Sequence, residues 1–540
     1  MLNKKNILYS TLLSAKEKNL NLCNKTYQRY ENMKKINLFN QNDLRRIKKS
    51  GLTPCDIEKQ MELYRHGPNY LNLNRPCSIN DGILSIQKAE RDELIKLYER
   101  EAGNFRLLKF VPASGAASRM FAEWFSAREK DGFGSPAFKQ TFFRNFKKYP
   151  FYFLIRKNKR ASEFVEQKNI KGLLDYILSA KGLNFGWLPK ALIPFHLYSA
   201  GEARTALEEH LFEAAQYIRG ADDVCHLHFT ISQEHKKDIA EKIKAVKSRC
   251  EKLCRIKYKI SSSVQSPSTN MLAVDENNLP LRDALGNLIF RPGGHGSLLK
   301  NLQKIDADFI FVRNIDNIAP EKRSKKILPY KKMLGGLTLQ IQQEIFAILR
   351  QMENDETDSK QIDEIRNYCS RRLSIVFPRS MSRQSLKIQK QIIFSSLNRP
   401  LRVCAIVKNE GEPGGAPFWV DEHDGIQTLQ IVESGHVDKG SPKQMAVWSA
   451  AQYFNPVDLV CCTKNYRGEK FNLDSYINPD AYLITMKNEK GRSLKALESP
   501  GLWNGGMAYW NTVFVELPII VFNPVKTVND LLRPEHKTNS

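Results

Sequence analysis

The sequence predicts an α/β fold built on a mostly parallel sheet. Apolar runs typical of buried strands alternate with amphipathic helical patterns through the middle of the chain. A strand predicted over 105–113 is followed by SGAASRMF and a helix, and a strand over 224–232 is followed by a helix over 234–253. Another apolar run, FIFV, ends in the polar residues RNIDN. Strands that alternate with helices favour a parallel sheet, because the crossover helix returns the chain to the same edge.

The remaining pattern divides the chain into four predicted parts. Residues 1–104 are predicted to be a helical region, with one amphipathic helix that ends on Gly67. Residues 105–325 form the first half of the α/β domain, and residues 326–395 are a basic, helical insertion. Strand patterns return in residues 396–540, which form the second half of that domain.

The net charge favours anionic partners. Lysine and arginine number 83 against 58 acidic residues, which gives a formal charge of +25. The charge is spread over clusters such as RRIKK (45–49), RKNKR (156–160) and KRSKK (322–326), which are typical of solvated surface. No cluster carries the interleaved aromatic residues that stack on single-stranded bases, so nucleic-acid binding is disfavoured against nucleotides or sugar phosphates.

A reducing, cytoplasmic location is the expectation from the apolar segments and the cysteines. No run approaches the ~18 uninterrupted apolar residues of a membrane span. The apolar segment near the amino terminus is too short for a signal peptide, and translation could begin at Met1 or Met33. The ten cysteines include no CxxC pair, which favours reduced thiols over a zinc site. The pattern leaves the oligomeric state open.

The stretch SGAASRM (114–120) is a candidate phosphate loop. It follows the first predicted sheet strand, at the carboxyl end where α/β sheets bind ligands. Small residues allow consecutive amides to face an anion, and Arg119 can neutralise phosphate charge. Neither a Walker motif nor a GxGxxG spacing is present, so an ordinary turn remains the alternative. The candidate residues are Ser114, Gly115, Ala116, Ala117, Ser118 and Arg119.

A second glycine-rich loop lies in FRPGGHGSLLKNL (290–302). Its glycines predict a backbone that another group approaches closely, such as a phosphate or a nucleobase. A tight turn explains the same pattern equally well. The candidate residues are Gly293, Gly294, His295 and Gly296.

Several isolated polar residues are further candidates. Asp316 follows a buried strand, where a carboxylate could hold Mg²⁺ beside phosphates, or could form only an Asx turn. Lys190 and Lys526 each follow a proline near a strand, although lysines in such positions are more often solvated surface. Two glycine-rich segments, 409–419 and 500–511, combine tryptophan with acidic or amide groups in a way that suits sugar recognition or ordinary turns.

Taken in order, these pieces resemble a known family. KFVPASGAASRMF, PKALIPFH, QSPST, FRPGGHGSLLKNL, FVRNIDN, NEGEPGGAPFWV and FNPVKTVNDLLRPEH look like the hallmarks of the domain-of-unknown-function family 4301, over roughly residues 40–536. A remoter similarity is to the UDP-glucose pyrophosphorylases, on SGAASRM, Lys190, RPGGHGS, RNIDN and NPVKTVNDLL. This resemblance implies a Rossmann-like sheet of the nucleotidyltransferase (glycosyltransferase-A) type. It also implies a reaction between a nucleoside triphosphate and a sugar 1-phosphate that gives a nucleotide sugar and pyrophosphate.

The resemblance also implies roles for the candidates. Arg119, Lys190, Asp316 and Lys526 would be catalytic, and Asp316 would bind Mg²⁺. The nucleotide would lie against residues 114–118, Gln265 and residues 293–296, within residues 105–325. The sugar would contact Asn314, Glu410, Glu412, Asn504 and Gly505.

The sequence departs from the pyrophosphorylase pattern at two places. Ala116 and Ala117 stand where that family has glycines, and Ser297 stands where it has an acidic residue. The base and the sugar therefore stay open, and a nucleotide-binding protein without catalytic activity is the alternative.

Overall fold

The computed structural model describes residues 39–129, 136–198, 201–354, 357–412, 414–422, 426–489 and 492–538. The part of the predicted helical region that precedes residue 39 lies outside these residues. Within them the chain is a mixed α/β protein with a mostly parallel central sheet, as the sequence predicts. Nineteen strands are described: β1 Leu73–Pro76, β2 Ser78–Ile79, β3 Gly82–Leu84, β4 Leu107–Pro112, β5 Pro194–Leu197, β6 Ala203–Thr205, β7 Val224–Ile231, β8 Lys257–Val264, β9 Asn270–Leu272, β10 Phe290–Pro292, β11 Phe309–Arg313, β12 Leu401–Lys408, β13 Ala416–Asp421, β14 Gln427–Val432, β15 Tyr453–Phe454, β16 Asp458–Cys462, β17 Leu483–Glu489, β18 Arg492–Glu498 and β19 Asn511–Glu516.

Most strands of the central sheet have their carboxyl ends at the same edge of the sheet. Its order is β2-β3-β19-β12-β16-β11-β4-β7-β8, with β15 paired to β12. Strand β16 is antiparallel to both β11 and β12, so β11 and β12 run in the same direction. Strands β4, β7 and β8 are parallel to β11, and β19 is parallel to β12. The segments that follow these six strands therefore begin at the same edge, which we call the carboxyl edge.

Helices connect the strands and cover both faces of the sheet. The described α-helices are α1 Gln41–Lys49, α2 Pro54–His66, α3 Lys88–Glu101, α4 Ala122–Glu129, α5 Pro136–Phe146, α6 Tyr152–Arg156, α7 Lys159–Glu166, α8 Ile170–Leu178, α9 Ala206–Ala214, α10 Lys236–Cys254, α11 Leu299–Gln303, α12 Glu321–Glu353, α13 Ser359–Leu373, α14 Leu386–Leu397 and α15 Pro442–Ser449. Thr53 caps the amino end of α2, and the helix ends before Gly67, whose φ of +82° suits glycine.

Strand β11 shows how the sequence specifies a sheet that is buried on both faces. All five of its residues are buried. Phe309 and Phe311 join the larger core, whereas Ile310 and Val312 join the core on the opposite face. Side chains alternate between the faces of a strand, so a continuous apolar run is what a sheet covered on both sides requires.

The region before residue 104 contains strands as well as helices. Strand β3 pairs in parallel with β19 and extends the central sheet, while β1 joins β13 and β14 in a separate antiparallel sheet. These strands have four residues or fewer, which is too short for an apolar period to stand out. Later, β17 and β18 form a separate two-stranded antiparallel sheet.

The long helix α12 packs directly on the sheet. Leu334 and Leu337 belong to the same core as residues of β12 and β16. On another side α12 packs against α3, where glycines bring the two helices close together. A Cβ atom added to Gly336 would lie 2.0 Å from the Leu94 carbonyl oxygen, and one added to Gly335 would lie 2.4 Å from the Tyr98 ring.

The nine described cysteines are free thiols. In the same residues, no helix combines the length and the apolar character needed to cross a membrane.

We expect Gly336→Ala to destabilise the protein, although alanine favours helix by about 1 kcal/mol. The added methyl group must displace the α3 backbone, and overpacking of this kind costs about 1–3 kcal/mol. Thermal unfolding should show a lowered midpoint. Gly103→Ala is the matched control, because a Cβ atom there meets nothing within 4 Å. Equal midpoints for the two variants would contradict the close contact between the helices.

Candidate functional site

Three of the predicted catalytic side chains meet at the carboxyl edge. Lys190 Nζ donates hydrogen bonds to Asp316 Oδ2, at 2.9 Å, and to the Val525 carbonyl oxygen, at 2.8 Å. Lys526 Nζ lies 3.3 Å from the same Asp316 oxygen. The side chains of Lys190 and Asp316 are largely buried, whereas that of Lys526 is 45% exposed. We call these three residues the Lys–Asp–Lys cluster.

The cluster carries a net positive charge. Burial raises the pKa of the Asp316 carboxyl, but the ammonium groups of Lys190 and Lys526 outweigh it and hold that pKa below its usual value. The carboxylate is therefore ionised at neutral pH and balances only one of the two lysines. Because Lys526 is the more exposed lysine, the excess positive charge faces solvent, where an anion can approach it.

Asp316 does not fit the Mg²⁺ site that the sequence predicts for it. Its Oδ2 already accepts hydrogen bonds from two ammonium groups, and these positive charges would repel a divalent cation. Across the described residues, no group of three or more histidine, cysteine or acidic side chains could hold a metal ion. We therefore assign Asp316 to the lysines, whose ammonium groups it orients.

Backbone contacts tie the two segments of the cluster together. The Val525 amide donates to the Asp316 carbonyl oxygen at 2.8 Å, and Asn317 forms a β-bridge with Pro524. The amides of Lys526 and Thr527 both donate to Asp530 Oδ2, at 2.8 and 2.7 Å. The turn after β11 and the turn that carries Lys526 therefore form one structural unit.

Arg313, the last residue of β11, stabilises this unit through hydrogen bonds from its buried side chain. Its side chain is 1% exposed, and it donates to the Asn317 carbonyl oxygen at 2.6 Å and to the Val521 carbonyl oxygen at 3.0 Å. Its charge is balanced by Glu213, at 2.9 Å, and by Asp458, at 3.6 Å. Lys109 also contacts Glu213, and Lys331 contacts Asp458, so three cations and two carboxylates share a buried cluster.

The predicted phosphate loop lies against the segment that carries Lys190. The Lys190 amide donates to the Gly115 carbonyl oxygen at 3.1 Å, and the Ala117 amide donates to the Leu188 carbonyl oxygen at 3.0 Å. Residues 117–119 form a 3₁₀ turn before α4, and Gly115, Ala116, Ser118 and Arg119 are exposed. The Ala117 amide is thus already bonded within the protein, whereas Arg119 extends into solvent.

Two buried histidines secure the carboxyl-terminal segment. His196 Nε2 and His536 Nδ1 lie 3.0 Å apart, and His196 Nδ1 lies 2.9 Å from Glu209 Oε1. Burial lowers the pKa of His536 to about 3, so this ring is neutral at physiological pH. The sequence indicated RPEH only as a family hallmark. In the structure its histidine anchors the chain beyond the Lys526 turn.

The glycines of the second loop allow it to pack against residues 498–501. A Cβ atom on Gly296 would lie 2.2 Å from the Pro500 carbonyl oxygen, and one on Gly294 would lie 2.7 Å from the Glu498 carboxylate. Gly294 also has a φ of +73°, which favours glycine. The close approach that the sequence predicts is therefore, at least in part, an approach by the protein's own chain.

This packing produces a second polar cluster, around His295. The ring of His295 stacks on Trp503 with 4.1 Å between centroids, and its Nδ1 accepts a hydrogen bond from the Leu502 amide at 3.0 Å. Its Nε2 lies 3.5 Å from Glu433 Oε1, which also accepts a hydrogen bond from Asn504 Nδ2 at 2.8 Å. We call His295, Glu433 and Asn504 the His–Glu–Asn cluster.

The His–Glu–Asn cluster has unused hydrogen-bonding capacity. Burial raises the pKa of Glu433, but hydrogen bonds from His295 and Asn504 and the nearby charge of His295 lower it to about 2. Two buried atoms, Asn504 Oδ1 and Ser297 Oγ, have no hydrogen-bond partner in the described part of the chain. Unpartnered buried polar atoms are rare in native structures.

The remaining predicted residues make contacts outside the two clusters. Gln265 directly follows β8 at the carboxyl edge, where its Nε2 donates to Thr269 Oγ1 at 3.2 Å. Asn314 directly follows β11, and its carbonyl oxygen accepts from the Asn317 amide. Glu412 lies 3.7 Å from Arg533, Glu410 is exposed, and Gly505 is buried beside Ala481.

Glu433 is the residue that the sequence analysis missed. It directly follows β14, so the signal that indicated Asp316, a polar residue at the end of an apolar run, was present in LQIVES. What the pattern could not show is that residues 500–506 pack against this strand end.

Comparison with solved structures gives low-identity matches over most of the chain. A mutant of UDP-glucose pyrophosphorylase from Leishmania major is 13% identical, with 91% of this chain and 78% of that chain covered and a TM-score of 0.45. The uridine diphosphate N-acetylglucosamine pyrophosphorylase from Trypanosoma brucei is 10% identical, with 88% and 74% covered and a TM-score of 0.45. UDP-glucose phosphorylase from Trypanosoma brucei is 12% identical, with 91% and 77% covered and a TM-score of 0.43.

No curated protein matches the chain. A family model does match it, over residues 40–537, and its description is "Domain of unknown function (DUF4301)". Because this match spans more than nine-tenths of the sequence, the chain belongs to the DUF4301 family.

Proposed function

We propose that this protein is a nucleotidyltransferase that joins a nucleoside triphosphate and a sugar 1-phosphate. The observation that carries the proposal is the Lys–Asp–Lys cluster, in which three separate motif segments meet at one point of the carboxyl edge. In open α/β sheets, ligands bind beyond the carboxyl ends of the strands. The order of the motifs, which resembles that of the UDP-glucose pyrophosphorylases, supports this reaction class.

The reaction requires two polyanions to approach each other. An oxygen of the sugar 1-phosphate forms a bond to the α-phosphorus of the triphosphate. The bond from that phosphorus to the oxygen bridging the α- and β-phosphates breaks, and pyrophosphate leaves with the electron pair. Little covalent chemistry is required of the protein, so positioned cations account for most of the catalysis.

The protein supplies those cations in fixed positions. Lys526 would contact the reacting phosphates, because its ammonium group is the exposed one in the cluster. Lys190 would act from a more buried position, oriented by Asp316 and the Val525 carbonyl oxygen. Arg119 and the amides of residues 114–118 would face the β- and γ-phosphates, except for the Ala117 amide, which is already bonded. Any divalent cation would arrive with the triphosphate.

The neutral parts of the substrates would contact the other polar groups. Gln265 and the backbone of residues 293–296 would contact the base. Glu433 of the His–Glu–Asn cluster, whose side chain is 34% exposed, would accept hydrogen bonds from sugar hydroxyl groups, and Asn504 would orient its carboxylate. Asn314, Glu410, Glu412 and Gly505 remain candidates for the sugar side.

Binding of a nucleotide or a nucleotide sugar without turnover is the second candidate. The bonded Ala117 amide favours it, because the loop then has one donor fewer for a triphosphate. Tight nucleotide binding without pyrophosphate release from any sugar phosphate would establish this alternative.

We expect Lys526→Ala to reduce kcat for pyrophosphate release roughly 100- to 1000-fold, the effect of removing one preorganised donor in other enzymes. The assay combines the purified protein and Mg²⁺ with each common nucleoside triphosphate and a panel of sugar 1-phosphates. Thermal stability should change little, because the Lys526 side chain is 45% exposed.

The matched control for this variant is Lys537→Ala, an exposed lysine near the carboxyl terminus. It should retain wild-type kcat. If wild-type protein releases pyrophosphate and Lys526→Ala is as active as Lys537→Ala, the assignment of Lys526 to the reacting phosphates is wrong.

We expect Glu433→Gln to raise KM for the sugar 1-phosphate roughly tenfold, since a hydrogen bond to a charged group contributes about 1.5–3 kcal/mol. KM for the triphosphate should stay nearly constant.

Because the pKa of Glu433 is about 2, its carboxylate is ionised from pH 4 to 9, and this group should cause no change in the sugar KM across that range. Glu364→Gln, at an exposed position of α13, is the control. An equal rise in both KM values would argue against a role specific to the sugar.

A further inference from the structure

A cavity lies among helices α5, α6 and α7, which come between the phosphate loop and the Lys190 segment in the sequence. Its volume is about 790 Å³, and it is lined by residues of α5, α6 and α7 and of the turns that follow α5 and α7. None of the residues assigned to the proposed reaction lines it. A volume of this size is typical of sites for nucleotide-sized molecules rather than for a single small ion.

The lining of this cavity is strongly cationic. It contains a single carboxylate, Glu166, and five cations, Lys139, Arg144, Lys147, Arg156 and Lys168. Within the described part of the chain, no ion pair joins any of these five to an acidic group. Like charges around one concavity repel each other, and a bound anion would relieve that repulsion.

The floor of the cavity offers apolar and aromatic surface. Phe143, Tyr152, Ile155 and Val165 line it together with Ser162. The guanidinium groups of Arg144 and Arg156 suit phosphate, because their planar donors can bind two phosphate oxygens at once. The arrangement combines several phosphate donors with a surface on which a planar or apolar group could lie.

The cavity is connected to the candidate active site through a chain of aromatic contacts. The ring of Phe143 meets Phe142 at 5.2 Å between centroids, Phe142 meets Trp124 at 5.5 Å, and Trp124 meets Phe121 at 5.4 Å. Phe121 lies two residues beyond Arg119 in the phosphate loop.

A hydrogen bond also joins the segment between α5 and α6 to the turn that carries Lys526. Tyr149, between α5 and α6, donates from its hydroxyl group to Asn529 Oδ1 at 2.6 Å. Asn529 lies three residues beyond Lys526, and its Nδ2 donates to Glu123 Oε2 of α4 at 3.2 Å.

We propose that this cavity binds a small anion that carries several phosphate groups, at a site separate from the proposed catalytic centre. The five unpaired cations and the size of the cavity together favour such a ligand over a single phosphate. Inorganic polyphosphate and a nucleotide share this chemistry. Only the nucleotide also has a base that can lie on the aromatic floor and add to the binding.

Hydrogen–deuterium exchange with the full-length protein tests the proposal, with inorganic tripolyphosphate and ATP as separate probes. Peptides from 139–168 report on the cavity, and peptides from 107–120 report on the phosphate loop. We expect either probe to slow exchange in the cavity peptides. A stronger effect of ATP would show that the aromatic floor contributes, whereas equal effects would show that the phosphates suffice.

The decisive variant is Arg144→Gln/Arg156→Gln, in which both changed side chains are exposed and the fold should be retained. The probe concentration that half-protects the cavity peptides should rise roughly tenfold or more, the effect of losing charged hydrogen bonds. Lys48→Gln/Lys49→Gln makes the same charge change on exposed positions of α1 and should leave that concentration unchanged.

The proposal is overturned if neither probe protects residues 139–168, or if the arginine variant is protected as well as the control. Protection of the loop peptides is read separately in the same experiment. A failure of nucleotide binding at the proposed catalytic centre is therefore distinguishable from a failure at the cavity.

Discussion

The buried charge of Arg313 is the constraint on which the candidate site depends. A guanidinium group that is 1% exposed must be balanced, since an unpaired buried charge costs several kcal/mol. Glu213 of α9 and Asp458 of β16 supply that balance. Each of these carboxylates also contacts a buried lysine, so one network ties three central strands to α9 and α12.

The same guanidinium group positions the two turns of the candidate site. Its remaining donors satisfy carbonyl oxygens of Asn317 and Val521, which belong to the segments that present Asp316 and Lys526. The network has three cations against two carboxylates, and burial lowers the pKa of Lys331 to about 8. The segments with the candidate chemistry are thus held from the interior of the sheet, and the Lys526 side chain can remain largely exposed while it contacts Asp316.

The sequence predicts the sheet edge well and the contacts between distant segments poorly. Strand patterns locate the residues after β4 and β11, and parallel pairing then brings SGAAS and Asp316 to the same edge. The strands β1 to β3 are too short for such a pattern. Glu433 was missed because its importance depends on residues 500–506, which reach it only in three dimensions. Magnesium at Asp316 was predicted because a carboxylate at a strand end suits a metal, but local sequence cannot show two lysines on one of its oxygens.

The two polar clusters differ in a way that matches a substrate with two kinds of chemistry. The Lys–Asp–Lys cluster has excess positive charge, whereas the His–Glu–Asn cluster has a carboxylate and an unpartnered amide oxygen, which accept hydrogen bonds. Phosphates are pure acceptors and require the first environment, while hydroxyl groups donate and require the second. The glycines at 293, 294 and 296 let the chain close on residues 498–501, which places His295 against Glu433. A sugar phosphate carries both kinds of group, so the different character of the two clusters supports the proposed sugar 1-phosphate substrate.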